Sequence, residues 1–287
     1  MAMGGYLNLH TLASSWMGHI NPGNSLMSEV QQDHTQAKRP LIYIAEGCGG
    51  VLDFNTIPPQ HTSSSGSVAV DVKRVGTTGC WTCVGIYSPL DKDRCFVAHV
   101  MAKSFDTEII SAIEGRDLKK VVTNKIRKAV GSQLATPPAL KMAQEKVIII
   151  CPCPRKERPR SKKTNPNGKA LTGHYVAEAV CEFLGLEASE SVNHNQGFIV
   201  NHYDRHRSPL LIGLDISEEE PDDESEHIKP EQYGYEQVQG RIFDIEQDWD
   251  IILEDGEWVD GERAAAAIER NRLYESLACR ETRCLVG

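Results

Sequence analysis

The chain has 287 residues, 40% hydrophobic and 25% charged, with a net charge of −9 and a pI near 5.6. That acidic balance argues against a general nucleic-acid binder, which usually carries a basic excess. No apolar run is long enough to span a bilayer, and no basic-then-apolar signal opens the chain, so a cytoplasmic protein without a membrane contact is expected. Nine cysteines, an odd number in a chain too long for a small secreted scaffold, do not suggest a disulfide framework. Each is first read as a small core hydrophobe, then as a nucleophile or metal ligand.

Residues 1–38 are mixed, without a sustained period, and read as a weakly ordered arm. Arg39 to Ala45 reads as a strand, and Glu46-Gly47-Cys48-Gly49-Gly50 as a flexible turn, since its spacing fits neither a dinucleotide fingerprint nor a Walker motif. Val68 to Val72 reads as a second strand. Two apolar runs follow, Gly76 to Tyr87 and Cys95 to Met101, joined by the turn-rich Ser88-Pro89-Leu90-Asp91-Lys92-Asp93-Arg94. They predict a β-hairpin.

Helical spacing then marks Thr107 to Val130, with cap candidates from Ser104 to Thr107, a possible break at Gly115, and lysines and arginines on the polar face. Lys146 to Cys151 is an unbroken β-branched run, the sign of a strand buried on both faces. From Arg155 to Lys169 runs a basic, Pro-rich loop, read as a solvated insertion or a nuclear-import signal, which leaves a nuclear location open. Thr172 to Leu186 is an amphipathic helix with Gly185 as its C-cap. Ser191 to Tyr203 and Pro209 to Leu214 predict two more strands. Residues 217–232 are an acidic, solvated linker, and 233–287 an appendage with an aromatic-bearing stretch and an Ala-rich terminal helix. The closing Cys284-Leu285-Val286-Gly287 has only the outline of a prenylation box, with an unusual final Gly.

The hairpin carries the chemistry. A turn centred on Asp91 would set Cys83 opposite His99 on one face, where directly opposed Cβ atoms lie about 4.5–5.5 Å apart. A thiol and an imidazole so placed can share a proton, which suits attack on an amide carbonyl, loss of ammonia or amine, and hydrolysis of the thioester. Thr77 lies an even number of residues before Cys83, and an uninterrupted strand would show both on one face.

Thr77 to Met101, with Thr-x5-Cys, a strand, an Asp-containing turn and Ala-His-Val-Met, resembles the active-site segment of the CheD family of bacterial chemoreceptor glutamine deamidases. The order of elements to Leu214 is similar as well. The resemblance implies Cys83 as nucleophile, His99 as base and Thr77 as supporting residue. It also implies an α+β layered α/β sandwich with a mixed, largely antiparallel β core over residues 39–216. The broader group implied is the Cys-His deamidase fold of the cytotoxic necrotising factor toxins. The activity implied is hydrolysis of a glutamine- or asparagine-type amide, with a protein or peptide bearing a carboxamide as substrate and no cofactor. Trp81-Thr82 stand where the family has Gly-Ser, and Pro152-Cys153-Pro154 with the basic insertion replace its glycine-rich loop, so chemoreceptor specificity is not implied.

Two other readings compete. Cys80, Cys83, Cys151 and Cys153 could supply four thiolates to a structural zinc ion, although Cys151-x-Cys153 is tighter than the usual knuckle. The fold could also be a non-catalytic binding module whose acidic tail recruits a partner.

Overall fold

The computed structural model describes residues 39–61, 69–105, 109–151, 170–204, 208–213, 230–238, 245–246 and 248–285. The chain divides into residues 1–36 and 37–287, and every described residue belongs to the second unit. The expected N-terminal arm, the basic loop and nearly all of the acidic linker lie outside the described residues.

The described chain is a mixed α+β fold. Its strands are β1 (Arg39–Tyr43), β2 (Gly49–Asp53), β3 (Gln60–His61), β4 (Ala69–Val70), β5 (Arg74–Thr77), β6 (Val84–Pro89), β7 (Arg94–Ser104), β8 (Ile109–Ile110) and β9 (Ile148–Ile150). After these come β10 (Ala170–Leu171), β11 (Val192–Asn193), β12 (Gly197–Asn201), β13 (Leu210–Ile212), β14 (Tyr235–Gln237), β15 (Ile245–Glu246), β16 (Asp250–Glu254) and β17 (Glu257–Asp260). The α-helices are α1 (Ala112–Val130), α2 (Pro137–Lys146), α3 (Thr172–Leu184), the single turn α4 (Ala188–Ser191) and α5 (Gly261–Leu285).

A larger sheet runs β11-β9-β6-β7-β16-β17, and a smaller one runs β13-β12-β5-β1-β14. Both are mixed: β6–β7 and β5–β12 are antiparallel, whereas β7–β16 and β1–β5 are parallel. Period-2 alternation sorts the long strands into two cores. Val84, Ile86, Phe96, Ala98 and Val100 join α1 and α3 in one apolar cluster. Tyr87, Cys95 and Val97 pack on the other face with Ile42, Val75 and Phe198 of the smaller sheet. The layers are therefore helices, larger sheet, smaller sheet.

Helix α1 is continuous. Ser111 and Glu114 form a reciprocal capping box at its start, one turn later than the cap candidates read from sequence. Gly115, expected as a possible break, sits inside it because a Cβ there would strike the Tyr175 ring of α3. Gly185 closes α3 in the left-handed conformation, at φ 69°. Glu46 to Gly50 does not end as a flexible turn: Gly49 and Gly50 begin β2, which pairs antiparallel with β7.

The hairpin register differs from the expected one. Its pairs are centred on Lys92, with Gly85 opposite His99 and Pro89 opposite Cys95. The Asp91 carboxylate accepts backbone N–H bonds from Asp93 at 2.9 Å and Arg94 at 2.8 Å, and this Asx turn moves the centre one residue along. A one-residue move of the centre shifts each partner by two, so the faces are kept while Gly85 takes the place expected for Cys83.

The expected appendage is woven into both sheets. β14 pairs with β1, β15 with β2, and β16 with the C-terminal half of β7. The Trp258 indole N–H also donates to the Glu114 carbonyl at 2.8 Å. No helix among the described residues is long and apolar enough to cross a membrane.

Candidate active site

The site lies between the two sheets. Thr77 ends β5 in the smaller sheet, and His99 sits mid-strand in β7 of the larger one. Both are buried. The His99 backbone is fixed on either side, donating to Cys48 O at 2.8 Å and accepting from Gly47 N–H at 2.9 Å. Gly47 needs its positive φ of 71°, and a Cβ there would also collide with the Asp250 carboxylate.

Proton counting sets the histidine tautomer. Thr77 Oγ1 lies 2.8 Å from Ile44 O, which can only accept, and 2.7 Å from His99 Nδ1. The one hydroxyl proton goes to Ile44 O, so Oγ1 must accept from Nδ1–H. The lone pair of a neutral ring is then on Nε2. That nitrogen faces Cys80 Sγ at 3.8 Å.

Thr77 and His99 therefore meet as the resemblance implied, but no hydrogen bond joins Cys83 to His99 among the described residues. The Cys83 thiol instead donates to Glu46 Oε1 at 3.1 Å. Glu46 is exposed and stands in the β1–β2 connection beside the pinned Gly47. Cys80 is fully buried, whereas Cys83 keeps 5% of its surface beside the exposed Glu46. Gly85 makes room for this packing: a Cβ there would lie 3.1 Å from both Cys80 Sγ and Thr77 Cγ2.

Burial dominates the electrostatics. It pulls the His99 imidazole down from 6.5 to about 4, although the Glu46 charge and the Ile44 carbonyl act the other way. Burial pushes the Cys83 thiol well above its ordinary value, and the Glu46 charge and hydrogen bond push it further, while the Thr82 side chain opposes them. Cys80 is also raised, by burial first, with the Gly85 N–H acting against it. At neutral pH the resting site holds thiols and a neutral imidazole, not a thiolate–imidazolium pair. Such a site can work by general-base catalysis, the thiol proton passing to Nε2 as sulfur attacks.

Gln196, which sequence reading missed, adjoins this loop. Its carbonyl accepts from Cys80 N–H at 2.9 Å, and its own N–H donates to Ile212 O at 2.8 Å. The side chain is 1% exposed, and neither carboxamide atom has a hydrogen-bond partner among the described residues. Leaving such a group unpaired costs about 1–3 kcal/mol. Glu46 was missed too. Its signal was a lone charge in a Gly-rich turn directly after a buried strand.

Among the described residues, no three His, Cys, Asp or Glu side chains are grouped to hold a metal ion, and Cys153 of the zinc reading lies outside them. A cavity of about 360 Å³ lies elsewhere, at the far end of β6 beside Tyr87 and His202. No protein-family model, curated protein or solved structure matches the chain.

Proposed function

We propose that the chain is a cysteine-dependent amidohydrolase with a CheD-like fold, acting on a glutamine- or asparagine-type carboxamide in a protein or peptide. One observation carries the reading: Thr77 fixes His99 with its Nε2 lone pair turned toward a cysteine loop. That is the arrangement of a base with its orienting group.

Cys83 is the attacking thiol in this reading, by its motif position and because, unlike Cys80, it retains some exposed surface. The thiol leaves Glu46 and gives its proton to His99 Nε2 as sulfur bonds to the carbonyl carbon. The tetrahedral intermediate collapses with loss of ammonia, which takes the proton from Nε2. Water then hydrolyses the thioester by the same route in reverse, giving a carboxylic acid and the free thiol. The 3.8 Å contact favours a second reading, in which Cys80 is the nucleophile.

The test is ammonia release from carboxamide-bearing peptides, with a matching amide-to-acid mass gain, in wild type, Cys83→Ala, Cys80→Ala and His99→Ala. Loss in Cys83→Ala and His99→Ala is expected. Loss in Cys80→Ala with Cys83→Ala active moves the nucleophile to Cys80. Absence of turnover together with failure of p-nitrophenyl acetate to acylate either cysteine would remove the hydrolase reading.

A further inference from the structure

We propose that the cavity between the two sheets, beside Tyr87 and His202, is a second binding site, for a small uncharged aromatic molecule that carries one N–H or O–H donor. The cavity shares no lining residue with the thiol and His99 site. The proposal therefore goes beyond the amidohydrolase reading and does not rest on it.

Strand alternation assembles the lining. Tyr87 and Ile148 are directly paired across β6 and β9, and both belong to the buried cluster between the sheets. Asn193 pairs with Ile150 of the same cluster, while its neighbour Val192 packs on the helix side, so the Asn193 side chain faces the inter-sheet layer. From the smaller sheet come Val200, two residues beyond Phe198, and Leu211, directly paired with Phe198. His202 continues on the Val200 side, where it meets the Tyr87 hydroxyl across the layer at 2.9 Å. These six residues line a cavity of about 360 Å³, within the range of about 300–1,000 Å³ usual for ligand pockets.

The floor is apolar and aromatic. Tyr87, Ile148, Val200 and His202 are buried, whereas Leu211 and Met142 of α2 are half-buried on the open side. The floor carries no carboxylate, ammonium or guanidinium group among the described residues. Glu145, Lys146 and Asp204 line the cavity with exposed or half-exposed surface. An ion seated on that floor would give up water without a counter-ion, so the guest is uncharged. The Tyr87 and His202 rings and the Met142 thioether favour an aromatic one.

Asn193 supplies the polar contact. Its Nδ2 donates at 3.4 Å to Ile149 O, which can only accept, and this fixes the orientation of the carboxamide. Its Oδ1 stays accessible and has no hydrogen-bond partner among the described residues. An N–H or O–H on the guest completes it. Water against apolar walls is poorly bonded, and an apolar guest that displaces it gains affinity.

Indole is the probe, an uncharged ring system with a single N–H. Saturation-transfer NMR with the full chain is expected to give saturable binding with a Kd of about 1 mM or below. 1-Benzofuran has nearly the same shape without the donor and should bind about fivefold to tenfold more weakly. Indole-3-carboxylate adds a charge and should bind at least about tenfold more weakly. Asn193→Ala should bring indole down to the benzofuran affinity and leave benzofuran within about threefold, a split that a merely structural role would not produce. Leu211→Trp fills the cavity and should abolish the binding of both.

Indole that fails to saturate by about 10 mM overturns the proposal. So does indole that binds no tighter than benzofuran or the carboxylate, or that binds Leu211→Trp as well as wild type. If Leu211→Trp does not fold, Met142→Trp on α2 repeats the blockade. The wild-type protein also carries the test through its ¹⁵N-labelled Asn193 carboxamide. That signal should move as indole is added, and an unmoved signal overturns the proposal.

Discussion

Two buried histidines bridge the same pair of sheets in opposite senses. His99 stands in β7 of the larger sheet and meets the Thr77 hydroxyl of the smaller one at 2.7 Å from Nδ1. His202 follows β12 of the smaller sheet and meets the Tyr87 hydroxyl of the larger one at 2.9 Å from Nδ1. The difference lies in what surrounds each ring. His202 stacks on Phe54 at 4.8 Å and meets the edges of Tyr203 and Tyr87, whereas His99 turns Nε2 toward a cysteine. A hydroxyl–imidazole pair is thus a common way to satisfy a buried histidine. Chemistry needs a nucleophile within reach of the second nitrogen.

The largest expected effect breaks the pair apart. His99→Ala should lower p-nitrophenyl acetate acylation by about 10²–10⁴-fold, the usual share of a general base. His202→Ala should leave that rate within a few-fold but cost about 2–4 kcal/mol in urea unfolding, because it empties an aromatic cluster. Equal kinetic losses in both variants would show that His99 acts only through packing. Protonation of His99 is a linked handle. With its value held near 4, the base stays neutral through the mildly acidic range, so the acid limb of the acylation profile should fall near pH 4 and not near 6.5. The stability sign agrees. The unfolded histidine takes a proton below about 6.5 and the folded one does not, so the His99 contribution is fully present above that pH and is lost as pH falls toward 4.

Hydroxyl deletion is the next smaller step. Thr77→Val keeps the shape but leaves the His99 Nδ1–H without its acceptor, a loss of about 1–3 kcal/mol. If that loss is felt in the transition state, acylation falls about tenfold to a hundredfold. Tyr87→Phe makes the same deletion at the other histidine and should cost about 1 kcal/mol of stability with acylation unchanged. A Thr77→Val enzyme acylating at the wild-type rate would reduce Thr77 to a structural clamp.

Glu46 acts on the thiol side of the His99 site, where it accepts from Cys83. It holds Cys83 as a thiol, so Glu46→Gln should lower the thiol's titration and speed iodoacetamide alkylation of Cys83 near pH 8 by about threefold to tenfold. A slower rate would mean that the carboxylate helps to remove the thiol proton.

How much of this the sequence shows depends on the range of the forces involved. Gly185, the α3 apolar stripe and the two hairpin arms are legible because caps, periodicity and turns are local. Thr77 is legible only through the motif, since its partners Ile44 and His99 lie 33 and 22 residues away. The hairpin register slipped by two because a single side chain, Asp91, decides where the turn closes. Strands β14 to β17 read as an appendage because their pairing with β1, β2 and β7 leaves no periodic trace. Gln196 was invisible because a polar residue between two strands reads as loop. Its significance appears only when burial is combined with the absence of a partner among the described residues.

Gly85→Ala has the smallest expected effect and discriminates best between the two thiols. Gly85 is not at a positive φ, so alanine is conformationally allowed, and replacing a strand glycine gains about 0.5–1 kcal/mol of unfolded-state entropy. Against this, the new methyl meets Cys80 Sγ and Thr77 Cγ2 at 3.1 Å and Phe198 Cε1 at 3.3 Å, each of which must give by a few tenths of an ångström. The two contributions nearly offset, so the urea midpoint should hardly move. Of the two thiols the new methyl meets Cys80 and not Cys83, and it meets the Thr77 methyl as closely. With Cys83 as nucleophile, acylation should stay within about threefold, the effect of a shift of about 0.6 kcal/mol. A fall of tenfold or more, with the fold intact and the acetyl group located on Cys80 by peptide mass spectrometry, would assign the attack to Cys80; the same fall with the acetyl group on Cys83 would come from the displaced Thr77.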